Sequence, residues 1–343
     1  MSSASTAPRL TPDEIRQRIA KLPRIPFAFT PTPLEDCPRL SKHLGGPRIL
    51  IKRDDLTGFA FGGNKVRALE FRMADAKAKG CDAFVLVNIG QSNHARLHSA
   101  ACTRLGMKMV IVKPGRVDEP VQGNLLLDKM LGVEIVATGT TDAAELEKAL
   151  DDTLADLRRR GYTPYASTRD PFSPLAGTIA FTEASIELQD QLAAANLRAD
   201  HIFLVGGSTA AGLALGGKLL GAPYHVHPCS VGGSGGLLSR ELKLANGAAA
   251  VLDLPPIVGE EDFTCHEELG HIYGVATPET LDAIRTVART ESIFLDPVYT
   301  GKAMAALIDQ IQRGNVGKDE TVVFVHTGGL PIIFAYHEIL GNL

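Results

Sequence analysis

The chain has 343 residues and a formal net charge of −4, and 45% of its residues are hydrophobic. This composition excludes a disordered or fibrous protein, and the length is enough for two domains that share a cleft. No long basic run is present, so we expect neither nucleic acid nor a membrane surface as partner. No apolar run reaches the ~20 residues of a membrane span, and residues 1–10 lack the apolar centre of a signal peptide.

The five cysteines are scattered along the chain and form no CxxC pair. That usage is typical of free thiols in a reducing cytoplasm, so we expect a cytoplasmic location. Cys265, His266 and His271 are of metal-ligating types, but they lack a second ligand pair at a usual spacing. We therefore predict no metal site.

A helix is predicted close to the amino end. Thr11 is a helix cap, Pro12 suits the first helical position and Glu14 completes a capping box. Apolar residues follow at helical spacing from Ile15, and the prolines from Pro23 onward end the helix.

From residue 48 onward, short apolar runs alternate with helical patterns. Strands are predicted at 49–51, 83–87, 108–112, 133–136, 202–205, 224–227 and 322–325. Helices are predicted at 64–79, 93–105, 119–131, 141–160, 176–195, 209–220, 236–249, 276–290, 301–313 and 332–340. Continuously apolar strands that alternate with helices indicate a parallel α/β sheet covered on both faces. Ligands of such sheets bind beyond the carboxyl ends of the strands.

A single lysine, Lys65, follows Gly62, Gly63 and Asn64 where a strand leads into a helix. Adjacent glycines let the backbone turn sharply and approach a ligand. A lysine that is desolvated or close to another cation is an amine nucleophile, able to form a Schiff base with an aldehyde. We interpret Lys65 as the anchor of pyridoxal phosphate (PLP). The alternative is a solvated lysine at a helix entrance.

The loop after the second predicted strand carries Gln91, Ser92, Asn93 and His94. These side chains lie beside the free N–H groups of a helix start, an arrangement suited to a substrate carboxylate. The alternative is that Ser92 or Asn93 only caps the helix.

Two later loops are rich in glycine. Val205, Gly206, Gly207, Ser208 and Thr209 lead from a strand into a helix and suit a phosphate group. The run 231–236 also follows a strand, and we interpret it as an ordinary turn or as a wall of the pocket.

Further polar residues lie near the carboxyl end of the chain. Thr327 precedes two glycines and offers a neutral hydroxyl group. Tyr273 and Tyr299 each precede a predicted helix, and tyrosine is scarce in this chain. Each tyrosine taken alone is more often a packed or surface residue.

In their order along the chain, these motifs resemble the D-cysteine desulfhydrase / 1-aminocyclopropane-1-carboxylate deaminase family. This family is a branch of the fold type II PLP enzymes. The resemblance covers roughly residues 25–340 and rests on the segments 52–65, 91–94, 207–212, 296–299 and 326–329. It implies a two-domain, three-layer α/β fold with parallel-rich sheets, of the tryptophan synthase β type. Residues 1–67 and 176–343 would form a large PLP-binding domain, and 68–175 a small inserted domain. A homodimer is also implied.

The resemblance implies a role for each site residue. Lys65 would hold PLP, Asn93 would contact the cofactor hydroxyl, and Ser92 with its neighbours would hold the substrate carboxylate. Tyr273 and Tyr299 would flank the substrate. The implied catalytic residues are Lys65, Ser92, Tyr273 and Tyr299. The implied substrate-binding residues are Gln91, Ser92, Asn93 and His94. The implied cofactor-binding residues are Lys65, Asn93, Val205, Gly206, Gly207, Ser208, Thr209, Thr300 and Thr327.

Three departures from the family pattern bear on function, and one of them is the run Asn-Ile-Gly at 88–90 together with Leu97 and His98, which would alter the substrate pocket. Deaminases carry glutamate at the position of Thr300 and leucine at the position of Thr327. The family usually has a lysine near the phosphate at the position of Ala68, so phosphate binding here must depend on backbone N–H groups. Neutral hydroxyl groups suit an uncharged cofactor ring nitrogen and favour loss of a β-substituent over ring opening.

The implied activity is therefore that of a PLP-dependent carbon–sulfur lyase acting on a small amino acid. D-cysteine, giving pyruvate, ammonia and hydrogen sulfide, is the leading substrate. L-cysteate with loss of sulfite, and 1-aminocyclopropane-1-carboxylate, are the alternatives. A dehydrogenase lacks its dinucleotide fingerprint here, and the tyrosine and serine positions argue against a catalytically silent PLP-binding protein. Substrate chirality, the leaving group and the oligomeric state stay open.

Overall fold

The computed structural model describes residues 9–233, 235–268 and 272–342. Its strands are β1 (Leu34–Asp36), β2 (Arg48–Lys52), β3 (Ala83–Val87), β4 (Lys108–Lys113), β5 (Glu134–Ala137), β6 (Pro164–Ala166), β7 (His201–Val205), β8 (His225–Cys229) and β9 (Thr321–Val325). They form a larger sheet of order β1-β2-β9-β7-β8 and a smaller sheet of order β5-β4-β3-β6. Only the edge strand β1 pairs antiparallel, with β2; the remaining pairs are parallel.

Helices connect these strands and cover both sheets. They are α1 (Pro12–Ile19), α2 (Pro38–Leu44), α3 (Lys65–Ala78), α4 (Asn93–Leu105), α5 (Gly123–Met130), α6 (Ala143–Arg159), α7 (Ala176–Ala194), α8 (Ser208–Leu220), α9 (Leu237–Val251), α10 (Pro278–Glu291), α11 (Thr300–Gln312), α12 (Leu330–Ala335) and α13 (His337–Leu340). Within the part of the chain that the structure describes, none of these helices has the length and apolar character of a membrane span.

The predicted strands and most predicted helices are found, with ends shifted by a few residues. The capping box of α1 is confirmed, because the Glu14 N–H donates to Thr11 Oγ1 and the Thr11 N–H donates to Glu14 Oε2. The predicted helix 332–340 is interrupted at Tyr336. The sequence did not predict β1, β6 and α2. Strands of three residues such as β1 and β6 are too short to show a periodic pattern.

The larger sheet separates two apolar cores, as a three-layer fold requires. Leu50 and Val323 point into a core formed with α7 and α8. Ile49 and Phe324, their neighbours in sequence, point into a second core formed with α10 and α11. Side chains of a strand alternate between the two faces, so an unbroken apolar run is what two covered faces demand. The predicted fold class is therefore confirmed.

The smaller sheet is covered in the same way. Phe84 packs against α3 and α4, whereas Val85 packs against α6. Helix α3 belongs to both parts, since its Leu69 lies in the core of the smaller sheet and its Phe71 in a core of the larger one. The two sheets lie on either side of the predicted limits at 67/68 and 175/176, and the limits themselves stay a prediction.

A chain of three histidines lies on one face of the larger sheet. His201 Nδ1 is 3.0 Å from His227 Nε2, and His227 Nδ1 is 3.0 Å from His266 Nε2. The His227 ring stacks on Phe203 with centroids 4.1 Å apart. Burial, followed by the neighbouring histidines, lowers the pKa of His227 to about 2. His266 is thus part of a hydrogen-bonded chain, and His271 lies outside the described residues.

This histidine chain predicts a loss of stability in mild acid. His227 stays neutral in the folded protein, whereas in the unfolded chain it takes up a proton below its ordinary pKa of about 6.5. The unfolded state then binds one more proton at this position, so His227 by itself should lower the free energy of unfolding by up to ~1.4 kcal/mol for each pH unit below ~6.5. Urea unfolding at several pH values measures this slope.

His227→Phe should make the slope shallower, because it removes one such histidine while keeping a ring on Phe203. His43→Gln, at an exposed position of α2, is the matched control and should leave the slope unchanged. An equal slope for wild type and His227→Phe would show that His227 does not contribute.

Candidate active site

A cavity of about 230 Å³ opens beside the carboxyl ends of β7 and β8. Seven of the residues predicted from the sequence line it: Lys65, Asn93, His94, Val205, Gly206, Tyr299 and Thr327. Its wall also includes Asn64, Cys229, Ser230, Val231, Gly232, Arg240 and Gly328. Val231 and Gly232, from the glycine-rich run after β8, are therefore part of the wall of this pocket, which is one of the two interpretations made from the sequence.

Asn64 holds three loops together just before Lys65. Its backbone N–H donates to the Thr327 carbonyl at 3.0 Å, and its side-chain Nδ2 donates to Thr209 Oγ1 at 2.8 Å. The hydroxyl of Thr57 donates to the Gly63 carbonyl at 3.0 Å and accepts from the Gly63 N–H at 2.9 Å. These hydrogen bonds fix the backbone that carries Lys65.

Two glycine backbones touch where the loop after β9 crosses the loop of Lys65. A Cβ on Gly328 would lie 2.9 Å from the Cα of Gly63, closer than carbon atoms pack. Gly328 also has a φ of +109°, which side chains rarely permit. Glycine at 328 is thus required for the approach that lets Thr327 accept the Asn64 N–H.

Arg67, in the first turn of α3, is held by two carboxylates that fix the start of that helix. The buried Arg67 donates from Nε and Nη2 to the two carboxylate oxygens of Asp54, at 2.9 and 3.0 Å. It also donates to both oxygens of Glu187, at 2.9 and 3.0 Å. Burial alone would lower the pKa of Arg67, but Asp54 and Glu187 raise it above its ordinary value. A bidentate pair of this kind is strong and directional.

Lys65 has the opposite electrostatic environment. Burial, followed by the guanidinium groups of Arg72 and Arg240, lowers the pKa of Lys65 to about 8, and Glu241 opposes this only in part. At neutral pH a useful fraction of the amine is therefore uncharged and nucleophilic. Desolvation and neighbouring cations are the two conditions that make a lysine amine nucleophilic.

His94 lines the cavity as a neutral imidazole. Burial, followed by His98, Arg72 and Lys65, lowers the pKa of His94 well below its ordinary value. Its ring lies on the ring of His98 with centroids 4.1 Å apart, and His98 Nε2 is 3.0 Å from Arg72 Nη1. Arg72 donates in turn to the Ser173 carbonyl through Nε at 3.0 Å. The positive charge of this buried row is that of Arg72, because burial keeps both histidines neutral.

In the loop before α4, the side chains of Ser92 and Gln91 make hydrogen bonds within the protein. Ser92 is buried, and its Oγ accepts from the Ala95 N–H at 3.1 Å, so it caps α4. The side-chain amide of Gln91 bonds to the Gln122 carbonyl and to the Asn124 N–H, at 3.0 and 3.1 Å. Neither side chain is among those that line the cavity, whereas Asn93 and His94 are. Substrate contacts of Ser92 and Gln91 stay a prediction.

The predicted phosphate loop lies at the start of α8. Gly207 caps this helix with a φ of +121°, and α8 begins at Ser208. The backbone N–H groups of a first helical turn have no partner within the helix and attract anions. The Gly207 N–H is already used, because it donates to Glu241 Oε1 at 2.6 Å.

Two tyrosines meet where Tyr299 lines the cavity. The hydroxyl groups of Tyr273 and Tyr299 are hydrogen-bonded to each other. Burial, followed by Tyr273, raises the pKa of Tyr299 well above its ordinary value, so this phenol stays protonated at neutral pH. The Tyr299 N–H donates to the carboxylate of Asp296 at 2.7 Å, which fixes the start of α11.

Thr300 lies behind the cavity wall residue Tyr299, and its predicted contact with the cofactor stays a prediction. It is fully buried, and its hydroxyl donates to Asp296 Oδ2 at 2.7 Å while accepting from the Asp296 N–H at 2.8 Å. It does not line the cavity. Thr300 therefore supports Tyr299 through Asp296, and Thr327 is the threonine that the cavity exposes.

Sequence reasoning missed three polar residues of the site. Asn64 was treated only as part of the glycine loop, although its side chain reaches Thr209. Ser230 and Arg240 flank the glycine-rich run after β8, which was ranked below the other loops. A glycine-rich run followed within a few residues by an arginine on a helix was the available signal.

These residues fit PLP. Lys65 supplies an amine for the aldehyde, the first turn of α8 supplies backbone donors for the phosphate, and Thr327 lines the same cavity as Lys65. Within residues 9–233, 235–268 and 272–342, no group of acidic, histidine or cysteine side chains is arranged to hold a metal ion.

Comparisons with known proteins agree with this fit. A family profile described as "Pyridoxal-phosphate dependent enzyme" matches residues 25–328. The chain is 33% identical over 332 residues to "1-aminocyclopropane-1-carboxylate deaminase" of Burkholderia vietnamiensis, covering 94% of this chain and 98% of that protein.

Solved structures are similar as well. The structure titled "Crystal Structure Analysis of the ACC deaminase homologue" has a TM-score of 0.86 and 34% sequence identity, over 96% of this chain and 98% of that one. Threonine deaminase isoform 2 of Solanum lycopersicum has a TM-score of 0.65 at 19% identity, over 98% of this chain and 90% of that one, and shows the fold alone.

The fold and the cavity thus define a PLP-dependent enzyme of the tryptophan synthase β type. Within that class, the chain belongs to the D-cysteine desulfhydrase / 1-aminocyclopropane-1-carboxylate deaminase family, and its cofactor is PLP.

The contact between the two glycine backbones predicts that Gly328→Ala is costly. The new Cβ would meet Gly63, so we expect a loss of ~1–3 kcal/mol from overpacking, in addition to the ~1–2 kcal/mol of a side chain at positive φ. Urea unfolding measures the total. Gly314→Ala is the matched control, because Gly314 has a φ of +72° and nothing within 4 Å of an added Cβ. Equal losses for the two variants would contradict the proposed contact.

Proposed function

We propose that this chain catalyses PLP-dependent α,β-elimination from a small β-substituted amino acid, with D-cysteine as the leading substrate. The single observation that carries the proposal is that the cavity offers a neutral hydroxyl group and, among the described residues, no carboxylate. Thr327 offers a neutral hydroxyl there, and within the described residues no acidic side chain lines the cavity. A ring nitrogen without a carboxylate partner stays uncharged, which favours prompt departure of a leaving group from the β-carbon.

Lys65 carries two roles in this proposal. Its amine holds the cofactor, and once the substrate amine has taken its place it removes the α-proton as a general base. The lowered pKa of Lys65, about 8, supports both roles, because an uncharged amine is needed for each. PLP, when bound, supplies the electron sink for the substrate α-carbon.

The tyrosine pair is suited to the leaving group. Tyr299 is protonated at neutral pH and hydrogen-bonded to Tyr273, so a proton given to a departing thiolate can be replaced along the pair. The carbon–sulfur bond breaks, the thiolate leaves as hydrogen sulfide, and water converts the remaining three-carbon fragment into pyruvate and ammonia.

Two other substrates remain candidates for specific reasons. The relatives named 1-aminocyclopropane-1-carboxylate deaminase, at 32–33% identity, favour ring opening to 2-oxobutyrate and ammonia. L-cysteate, with loss of sulfite, would use the same elimination chemistry.

We also propose a homodimer, which light scattering of the purified protein tests directly.

Lys65→Ala should abolish the visible absorbance of the bound cofactor and lower elimination by at least about a hundredfold, the usual contribution of a general base. The absorbance spectrum and a pyruvate assay measure the two effects. Lys77→Ala, at an exposed position of the same helix, is the control and should keep both. Persistence of the band in Lys65→Ala would place the cofactor on another lysine.

A substrate panel tests the reaction itself. D-cysteine should yield pyruvate and sulfide in equal amounts, because the elimination releases one of each. L-cysteine, L-cysteate and 1-aminocyclopropane-1-carboxylate complete the panel, with sulfite and 2-oxobutyrate measured alongside pyruvate. Formation of 2-oxobutyrate from the last compound, with no pyruvate from the other three, would rule out the elimination proposal in favour of ring opening.

A further inference from the structure

The phosphate end of the cavity lacks a cation on α3. Ala68 lies beside the phosphate loop: the position that a Cβ on Gly177 would occupy is 3.6 Å from the Ala68 Cβ and 2.4 Å from Ser208 Oγ. An alanine there offers no charge to a phosphate dianion. Lys65 is committed to the aldehyde, and Arg72 donates to Ser173 and His98.

We propose that Arg240 supplies the missing positive charge and binds the cofactor phosphate from α9. The inference rests on the PLP site of the proposed function. Arg240 is the cation other than Lys65 among the described residues that line the cavity. Its Nη2 lies 3.4 Å from the position that a Cβ on Gly206 would occupy and 4.0 Å from that of Gly207. The guanidinium is therefore above the loop that leads into α8.

The absence of a side chain at Gly206 makes this approach possible. A Cβ there would lie 2.7 Å from Leu237 Cδ1 and 3.1 Å from Glu241 Oε1, so α9 could not come so close. Leu237 and Arg240 both belong to the first turn of α9. Gly206 thus also allows α9, the helix that carries Arg240, to pack closely on the phosphate loop.

Glu241 gives an independent indication that the loop and α9 act together. Its carboxylate is fully buried, and Oε1 accepts the Gly207 N–H at 2.6 Å. Arg240 Nη2 lies 3.6 Å from the same Oε1, and Oε2 has no hydrogen-bond partner among the described residues. An unpartnered buried oxygen at a helix start is a polar site that is incomplete as it stands. Because a carboxylate oxygen only accepts hydrogen bonds, it is a donor such as the Arg240 guanidinium, and not a phosphate oxygen, that would complete this site.

The experiment compares PLP with pyridoxal, which lacks the phosphate. Apoenzyme of wild type and of Arg240→Ala is titrated with each compound, and the Kd is read from the visible absorbance. Loss of one charge-assisted contact should weaken PLP binding about ten- to a hundredfold, whereas pyridoxal binding should change less than about threefold. Circular dichroism of the apoenzymes checks that both are folded.

Two further variants sharpen the test. Ala68→Lys in the Arg240→Ala background should restore most of the PLP affinity, because it returns a cation to the same loop from α3. Lys243→Ala, exposed on α9, is the matched control and should bind PLP like wild type.

Several results would overturn the inference. These are unchanged PLP affinity in Arg240→Ala, an equal loss for PLP and pyridoxal, or a rise in KM for L-cysteate alone, which would assign Arg240 to the substrate. A wild-type protein that shows no cofactor band would instead contradict the proposed function, so the two failures are distinguishable.

Discussion

The site depends on the hydrogen bonds of one asparagine that is not itself reactive. Asn64 joins the loop of Lys65 to the loop after β9 through Thr327 and to the loop after β7 through Thr209. Parallel strands bring their carboxyl ends to one edge, but the loops beyond that edge need a common partner to hold a fixed distance. Because Asn64 immediately precedes Lys65, the same bonds also fix the start of α3 and the origin of the lysine side chain.

Helix α3 carries two cationic side chains, Lys65 and Arg67, in opposite electrostatic environments. Arg67 is surrounded by carboxylates, which raise its pKa and make it a structural cation. Lys65, two residues earlier, has cations as its principal charged neighbours, and its pKa is lowered. Burial costs free energy in both cases, but a paired ion recovers much of that cost through its partner. Among the described residues no carboxylate is paired with the Lys65 amine to recover this cost, and this is the physical reason why the amine is reactive.

The regular elements were predictable because they depend on local patterns. Strands with an apolar run of four or five residues, such as β9 and β3, are buried on both faces, and this run is visible in the sequence. The strands of three residues and α2 were missed because a short segment carries no periodic signal. Cys37, at the cap of α2, also makes no side-chain cap bond that would have marked the helix start.

The site residues were predictable as a set but not in their individual roles. The loops were found because polar and glycine residues cluster after apolar strands. Whether Ser92 faces a ligand or caps α4 depends on a rotation of one side chain, which spacing along the chain does not encode. The hydrogen bond of Thr300 was not predictable for a similar reason, since its hydroxyl donates to the carboxylate of Asp296, four residues earlier.

The position of Arg240 beside the phosphate loop could not be predicted from the sequence, because it is set by the packing of α9 on Gly206. A charge close to a bound group can come from either neighbouring helix, since Coulomb attraction depends on distance and not on the chain segment that supplies it. The side chain of Arg240 is 56% exposed, whereas Ala68 is buried. A cation at the rim retains more of its hydration than one in the interior, so it costs the apoenzyme less. A buried lysine at 68 would leave an unpaired charge in the core whenever the cofactor is absent. Supplying the charge from α9 avoids that cost.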